Sequence, residues 1–129
     1  MLTGNNAIPN QAPVTEQTTE TETQTVEEVV IQYYKETPIL AEVARCESTF
    51  RQFGDDGKAL RGIVDNRDVG VMQINEHYHL KTAKALDLDI ETLEGNLAYG
   101  QYLYDKQGLQ PWSASSKCWS KSLHVATTL

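Results

Sequence analysis

Apolar residues recur along this chain mostly at helical spacing. The first stripe follows the i, i+3, i+4 pattern of an amphipathic helix and consists of Val26, Val29, Val30, Tyr33 and Tyr34. Thr25 and Glu28 have the spacing of a capping box, so the helix is predicted to begin at this point. Pro38 is predicted to end or kink it.

Three further stretches favour helices. A second stripe consists of Ile39, Leu40, Val43 and Ala44. It brings Glu47 close to the apolar face, near the end of that helix. Helices are also predicted over 78–87 and 92–107, and Gly108 is a good stop signal for the second of these. A short helix or turn is predicted over 111–119.

The segment 54–69 breaks the helical pattern with glycines and aspartates, and predicts a small β-hairpin or an irregular lobe. The fold class is therefore mainly α. This segment lacks the acidic spacing of a calcium loop. His77 and His79 would lie on different helix faces, so solvated or hydrogen-bonded histidines are expected rather than a metal pair. Neither a metal nor a cofactor is predicted.

The N-terminal residues 1–25 are rich in Thr, Glu, Gln, Asn and Pro. Such a stretch has too little apolar area to offset the entropy of ordering it, so disorder is predicted. It is either a flexible stalk or an inert tail, and the sequence leaves both interpretations open. One domain is predicted over 26–119, followed by a loose tail over 120–129.

The formal net charge is -7 and the mean hydropathy is -0.47. Residues 1–35 carry -4 of this charge, so the rest of the chain is nearly balanced. A nucleic-acid or anionic-membrane partner is not expected, because both require a basic face. No apolar run is long enough for a membrane span, and no export signal is visible. A monomer is the default expectation.

Candidate chemistry centres on Glu47, which ends an apolar helical segment and is followed by Ser48 and Phe50. A glycine-led apolar turn, Gly-Val-Met-Gln-Ile-Asn, occupies 70–75. A lone glutamate at the end of a buried helix, with such a turn downstream, predicts an acid site in a cleft.

Three motifs together resemble the lysozyme-like superfamily of soluble lytic transglycosylases and goose-type lysozymes. They are the Glu-Ser pair at 47–48, Gly-Val-Met-Gln-Ile at 70–74, and the Asn-led run ending in Tyr-Leu at 96–103. The Cys-Glu-Ser start and the C-terminal Trp and Cys also resemble resuscitation-promoting-factor-type wall hydrolases. The resemblance covers about 38–119. It implies a lysozyme-like fold with a small irregular or β-hairpin lobe.

The resemblance implies that Glu47 is a general acid in a peptidoglycan lytic transglycosylase. Glycosidic cleavage requires an acid at the leaving oxygen, and desolvation in an apolar cleft keeps a glutamate protonated near neutral pH. The same carboxylate then acts as base on the C6 hydroxyl of N-acetylmuramic acid, which attacks C1. The bond to N-acetylglucosamine breaks and a 1,6-anhydro end forms. Peptidoglycan glycan strands are the expected partner.

Two departures from the family pattern leave alternatives open. Asn75 stands where goose-type lysozymes carry an aspartate, so a hydrolytic lysozyme would have to position its water with Asp65 or Asp68. The family's Ala-Tyr-Asn motif is absent, and Trp-Ser-Ala-Ser at 112–115 occupies that region. A non-catalytic glycan-binding module and a structural or adaptor domain are the remaining alternatives.

The predicted substrate-binding residues each have a plainer explanation as well. Ser48 either orients Glu47 or satisfies the helix end, and Met72 and Tyr99 either line the cleft or fill the core. Gln73 is expected in the cleft by family match. Trp112 either stacks on a sugar or packs against Trp119 and the cysteines. The complete predicted set is Ser48, Asp65, Asp68, Met72, Gln73, Asn75, Tyr99 and Trp112.

Cys46 and Cys118 are either two free thiols or one disulfide. The resemblance implies the disulfide, because wall hydrolases of that type pair a cysteine beside the catalytic glutamate with one near the C-terminus. A disulfide in turn implies an oxidising, extracytoplasmic compartment.

Overall fold

A computed structural model describes residues 24–128 of the chain, with side chains described as far as residue 123. The predicted disorder of 1–25 therefore falls almost wholly outside the described residues. Only Gln24 and Thr25 of that stretch are described, and neither has assigned secondary structure.

The described part of the chain is mainly helical, as predicted, with one small antiparallel sheet. Its α-helices are α1 (Val26–Tyr33), α2 (Ile39–Ser48), α3 (Glu76–Ala85), α4 (Leu93–Gln107) and α5 (Ser116–Thr128). A 3₁₀ helix spans Gln110–Ser115, and the strands are β1 (Asp68–Val69) and β2 (Ile74–Asn75).

The capping box predicted for α1 is present. Thr25 Oγ1 accepts from the Glu28 amide at 3.1 Å, and the Glu28 carboxylate accepts from the Thr25 amide at 2.9 Å. These bonds satisfy two amides at the N-terminal end of the helix. The apolar stripe is only partly buried, because Val30 and Tyr34 are 0% exposed whereas Tyr33 is 46% exposed.

Helix α2 buries the predicted stripe, with Leu40, Val43 and Ala44 at 0% exposure. Its C-cap is Thr49, which adopts a left-handed conformation at φ 54°. Phe50 follows at φ 59°. Two consecutive left-handed residues without glycine are costly. They turn the chain sharply away directly after Glu47 and Ser48, so Glu47 occupies the last turn of a helix that is otherwise packed in the core.

The two strands flank the glycine-led turn, so β1 lies at the end of the 54–69 segment and β2 lies beyond it. Strands β1 and β2 pair antiparallel with Asp68 opposite Asn75 and Val69 opposite Ile74, so Gly70–Gln73 forms the hairpin loop. Between 54 and 69 there are isolated bridges and turns, as expected of an irregular lobe. The pairing brings Asp68 and Asn75 side by side.

Helix α4 packs against α1 and the hairpin loop at a glycine. The Tyr34 hydroxyl donates to the Leu97 carbonyl at 2.6 Å, and both residues are fully buried. A Cβ on Gly100 would lie 2.8 Å from that hydroxyl and 3.2 Å from Met72 Cγ. The absence of a side chain at Gly100 therefore lets α1, α4 and the hairpin loop meet in the core.

The C-terminal segment differs from the prediction of a loose tail over 120–129, because α5 continues as helix to Thr128. Trp119 fixes the start of this helix. It is 8% exposed, and its Nε1 donates to the Trp112 carbonyl at 3.0 Å. A helix held at its first turns propagates at little further cost per residue.

Candidate active site

Glu47 lines a cleft with a volume of about 360 Å³. The last turn of α2 forms one side of this cleft, and the irregular lobe, the hairpin, the start of α3, the C-terminal half of α4 and the 3₁₀ helix form the rest. Its other lining residues are Asp65, Asp68, Gln73, Ile74, Asn75, Tyr78, His79, Leu103, Gln107, Pro111, Trp112 and Ala114. Glu47 and the segment after Gly70 therefore line the same cleft, as predicted.

The carboxyl group of Glu47 is largely shielded from water. Ser115 Oγ donates to Glu47 Oε2 at 2.6 Å. Burial raises the pKa of Glu47 above the ordinary glutamate value, the Ser115 hydrogen bond opposes that rise, and the nearby Asp68 charge adds to it. Desolvation prevails, so this carboxyl holds its proton to a higher pH than a solvated glutamate.

The hairpin loop at Gly70 is held by two buried side-chain amides. Gln52 Oε1 accepts from the Val71 amide and Asn96 Oδ1 from the Met72 amide, both at 2.8 Å. Asn96 Nδ2 also donates to the Val69 carbonyl at 2.9 Å. Gln52 and Asn96 are both 0% exposed. The loop therefore has its buried polar groups satisfied without a regular ladder.

Ser48 and Trp112 complete the support of this loop. Ser48 Oγ lies 2.8 Å from the Val71 carbonyl oxygen, and Trp112 Nε1 donates to the Met72 carbonyl at 2.8 Å. Ser48 is 8% exposed and Trp112 is 3% exposed. Burial favours the structural explanation of each residue over the predicted substrate contact. Ser48 joins α2 to the loop, and Trp112, although it lines the cleft, has almost no exposed ring face for a sugar.

Met72 and Tyr99 also belong to the core. Met72 is 0% exposed and Tyr99 is 1% exposed, so neither lines the cleft and both fill the core, the plainer of the two explanations that the sequence left open. The Met72 side chain points against Gly100 of α4. Tyr99 reaches the cleft only indirectly, through its hydroxyl, which lies 3.0 Å from His79 Nδ1.

Gln73 does line the cleft, as predicted. Its backbone adopts φ 51°, an unusual value for a residue other than glycine. The side-chain amide donates to the Gly70 carbonyl at 3.0 Å. This bond closes the hairpin loop on itself and fixes the side chain at the edge of the cleft.

The two candidate aspartates differ in their surroundings. Arg67 binds both oxygens of Asp65, at 2.9 and 3.0 Å, and holds the pKa of that carboxyl well below its usual range. Asp68 accepts from Asn75 Nδ2 at 2.9 Å, and burial raises the pKa of Asp68. Asn75 therefore lies in the cleft, as predicted, where it joins the two aspartates and also caps α3.

Among the residues that were not predicted for the site are Tyr78 and His79, which line the cleft, and Ser115, which bonds to Glu47. Ser115 carried a weak signal, because it lies in the region where the family's Ala-Tyr-Asn motif is missing. Tyr78 and His79 belong to the first turn of α3. Neither the spacing nor the chemistry of these two residues indicated which of them would face the cleft, because that depends on how α3 leaves β2.

Cys46 and Cys118 form a disulfide with a Cα–Cα distance of 6.0 Å across 72 positions, which confirms the pairing implied by the resemblance. It joins the last turn of α2 to the first turn of α5. Because Cys46 adjoins Glu47 and Cys118 follows Ser115 by three residues, the bridge lies close in the chain to both partners of the Glu47–Ser115 hydrogen bond.

Across residues 24–128 no group of three or more His, Cys, Asp or Glu side chains is arranged to hold a metal ion. None of the helices there is long and apolar enough to cross a membrane.

Comparisons with family models, curated proteins and solved structures gave no match for this chain.

Proposed function

We propose that this protein is a peptidoglycan lytic transglycosylase that cleaves the bond between N-acetylmuramic acid and N-acetylglucosamine, with Glu47 as general acid and then base. The observation that carries the proposal is the shielded carboxyl of Glu47, which has a raised pKa and lies in an open cleft. A carboxyl that stays protonated near neutral pH is what a glycosidic leaving oxygen requires.

Ser115 suits both stages of this reaction. Its hydroxyl lies 2.6 Å from Glu47 Oε2 and 3.2 Å from the Trp112 carbonyl oxygen. A hydroxyl both donates and accepts. When Glu47 is ionised, Ser115 donates to it; when Glu47 is protonated, Ser115 turns its proton to Trp112 and leaves the acid free. The same side chain thus supports the acid before proton transfer and the base after it.

The proposed reaction balances without water. Glu47 gives its proton to the leaving oxygen as the bond to C1 breaks and the ring becomes oxocarbenium-like. The resulting carboxylate removes the proton of the C6 hydroxyl, whose oxygen forms the new bond to C1. The products are a free sugar end and a 1,6-anhydro end, and Glu47 is protonated again.

The choice of peptidoglycan follows from the resemblance of the three motifs. It is also in keeping with the disulfide, because such bonds persist in oxidising, extracytoplasmic compartments, where cell-wall glycan is located. The lysozyme-like fold is part of the same proposal. A small irregular lobe and a hairpin beside a helix that ends in the acid support it.

Hydrolysis is the second candidate, and Asp68 is the observation in its favour. This carboxylate shares the cleft with Glu47 and influences its pKa, so it could position a water on the sugar. Asp65 is the weaker choice of the two, because both of its oxygens are occupied by Arg67.

Incubation of the full chain with purified peptidoglycan, followed by mass analysis of the fragments, tests the proposal. Glu47→Gln should leave the fold intact and reduce cleavage by at least roughly a hundredfold, the usual contribution of a positioned acid. Normal cleavage by this variant would remove Glu47 from the mechanism. Glycan binding without turnover in the parent at any pH would favour a non-catalytic module.

Product mass separates the two chemistries, because hydrolysis adds a water that the anhydro end lacks. Under the transglycosylase route, Asp68→Asn should still yield 1,6-anhydro ends. Hydrolysed ends that disappear on Asp68→Asn would instead establish a muramidase.

A further inference from the structure

Two neighbouring residues at the start of α3, Tyr78 and His79, line the Glu47 cleft without a role in the proposed proton transfers. Tyr78 is 70% exposed. Large aromatic side chains usually bury most of their surface, so an open tyrosine on the wall of a cleft has ring area available to a ligand. The other aromatic residues near the cleft, Trp112 and Tyr99, are 3% and 1% exposed.

His79 offers a polar group next to this ring. Its Nδ1 lies 3.0 Å from the hydroxyl of the buried Tyr99, and burial lowers the pKa of His79, so the imidazole is neutral near pH 7. Nδ1 is engaged by the Tyr99 hydroxyl, so Nε2 is the ring nitrogen that remains for a ligand, and in the neutral imidazole it donates in one tautomer and accepts in the other. A sugar hydroxyl serves both cases because it donates and accepts.

We propose that Tyr78 and His79 form a carbohydrate subsite beside Glu47, in which the Tyr78 ring packs against the apolar face of a pyranose and His79 Nε2 bonds to one of its hydroxyl or acetamido groups. The inference deepens the proposed function and rests on it for the class of substrate. Substrate binding then involves residues of α3, whereas the proposed proton transfers involve residues of α2 and the 3₁₀ helix.

The backbone around this subsite is well supported. Asn75 caps α3 by accepting from the His77 amide at 3.0 Å and also bonds to Asp68 across the hairpin. The start of α3 is therefore fixed to the wall of the cleft that carries Asp68. A rigid platform loses little entropy when a ligand binds, which favours binding.

The test measures binding of a soluble N-acetylglucosamine tetramer by calorimetry, with the full chain carrying Glu47→Gln so that turnover does not interfere. Tyr78→Ala should raise Kd roughly five- to tenfold, the range of an aromatic packing contact. Tyr78→Phe keeps the ring and should stay within about twofold of the parent. His79→Ala should raise Kd by roughly two- to tenfold, the loss of one hydrogen bond.

Tyr33→Ala is the matched control, because Tyr33 is also exposed, at 46%, but lies on α1 outside this cleft. It should leave Kd unchanged. In the active protein, Tyr78→Ala should raise KM for soluble glycan fragments and change kcat less than about twofold, as expected for uniform substrate binding.

Tetramer binding that is equal in Tyr78→Ala and the parent would overturn the subsite, and so would a parent that binds no tetramer at all. Failure of the catalytic proposal gives a different result. In that case Tyr78 and His79 still govern Kd, and the protein carrying Glu47 releases no fragments from peptidoglycan.

Discussion

Opposing effects of its surroundings determine the pKa of the Glu47 carboxyl. Burial and the Asp68 charge raise its pKa, whereas the Ser115 hydrogen bond lowers it. A general acid works best when its pKa lies near the working pH. Ser115 therefore opposes the rise in pKa that burial produces.

Ser115→Ala should therefore raise the pKa of Glu47. Activity needs the protonated acid, so the alkaline limb of the pH profile of kcat/KM should move to higher pH. The plateau of kcat should fall roughly three- to tenfold through the loss of one hydrogen bond. Ser113→Ala, an exposed serine of the same 3₁₀ helix, should leave the profile unchanged. A shift of the alkaline limb to lower pH would contradict the expected rise in the pKa of Glu47.

The raised pKa of Glu47 also has a consequence for stability. In the folded protein Glu47 holds its proton over a pH range in which the unfolded chain has lost it. The free energy of unfolding should therefore fall as pH rises from the unfolded pKa, about 4.3 for glutamate, through the folded pKa. Glu47→Gln removes this pH-dependent loss of stability.

We expect Glu47→Gln to be more stable than the parent at pH 7 and equal to it at about pH 3, where both forms are uncharged at this position. Urea unfolding across this pH range measures the difference. Glu36→Gln, an exposed glutamate between α1 and α2, should show no such pH-dependent gain. A parent that is the more stable protein at pH 7 would mean that Glu47 is not penalised by burial.

At the level of elements, the hairpin loop at Gly70 joins α2, α4 and the 3₁₀ helix into one site. Gly70 has φ +77°, and a Cβ there would fall against the Asn96 amide and 2.7 Å from Gln52 Oε1. A side chain at Gly70 would therefore displace the two buried amides that hold the loop.

Gly70→Ala should lower the free energy of unfolding by more than Gly57→Ala does. Gly57 has a similar φ of +81°, but a Cβ there meets nothing within 4 Å. Both variants should lose about 1–2 kcal/mol to the left-handed backbone, and only Gly70→Ala should add the cost of the clash. If both variants lose the same free energy of unfolding in urea, Gln52 and Asn96 move aside without an energetic cost.

Local patterns predicted the helices well, because periodicity and caps act over a few residues. The Thr25 capping box, the α2 stripe and the stop at Gly108 are all found. The same patterns could not show that Ser48 and Met72 point inward. Ser48 bonds to the Val71 carbonyl and the Met72 amide bonds to Asn96, over separations of 23 and 24 positions in the chain.

The molecule as a whole brings together residues that are far apart in sequence. Glu47 and Ser115 are 68 positions apart and are joined by one hydrogen bond, beside a disulfide that spans 72 positions. The resemblance implied the disulfide, but it did not indicate which residue in the region of the missing Ala-Tyr-Asn motif would meet Glu47. Such a long-range contact depends on the packing of the whole core.

Replacing both cysteines, Cys46→Ser with Cys118→Ser, should lower the free energy of unfolding by about 4 kcal/mol, the loop-closure contribution for a bridge of this span. If the bridge also maintains the Glu47–Ser115 distance, the alkaline limb of activity should move to higher pH, in the direction expected for Ser115→Ala. The two changes should not add, because both act on the same hydrogen bond.

The pH profile of a variant carrying both cysteine changes and Ser115→Ala decides between the two roles of the bridge. If the alkaline limb of this variant lies at no higher pH than that of Ser115→Ala alone, the disulfide acts on Glu47 through Ser115. Full additivity, or a cysteine variant that loses stability with no change in its pH profile, would reduce the bridge to a cross-link of the fold. Chemical reduction of the parent should reproduce the result of the cysteine changes.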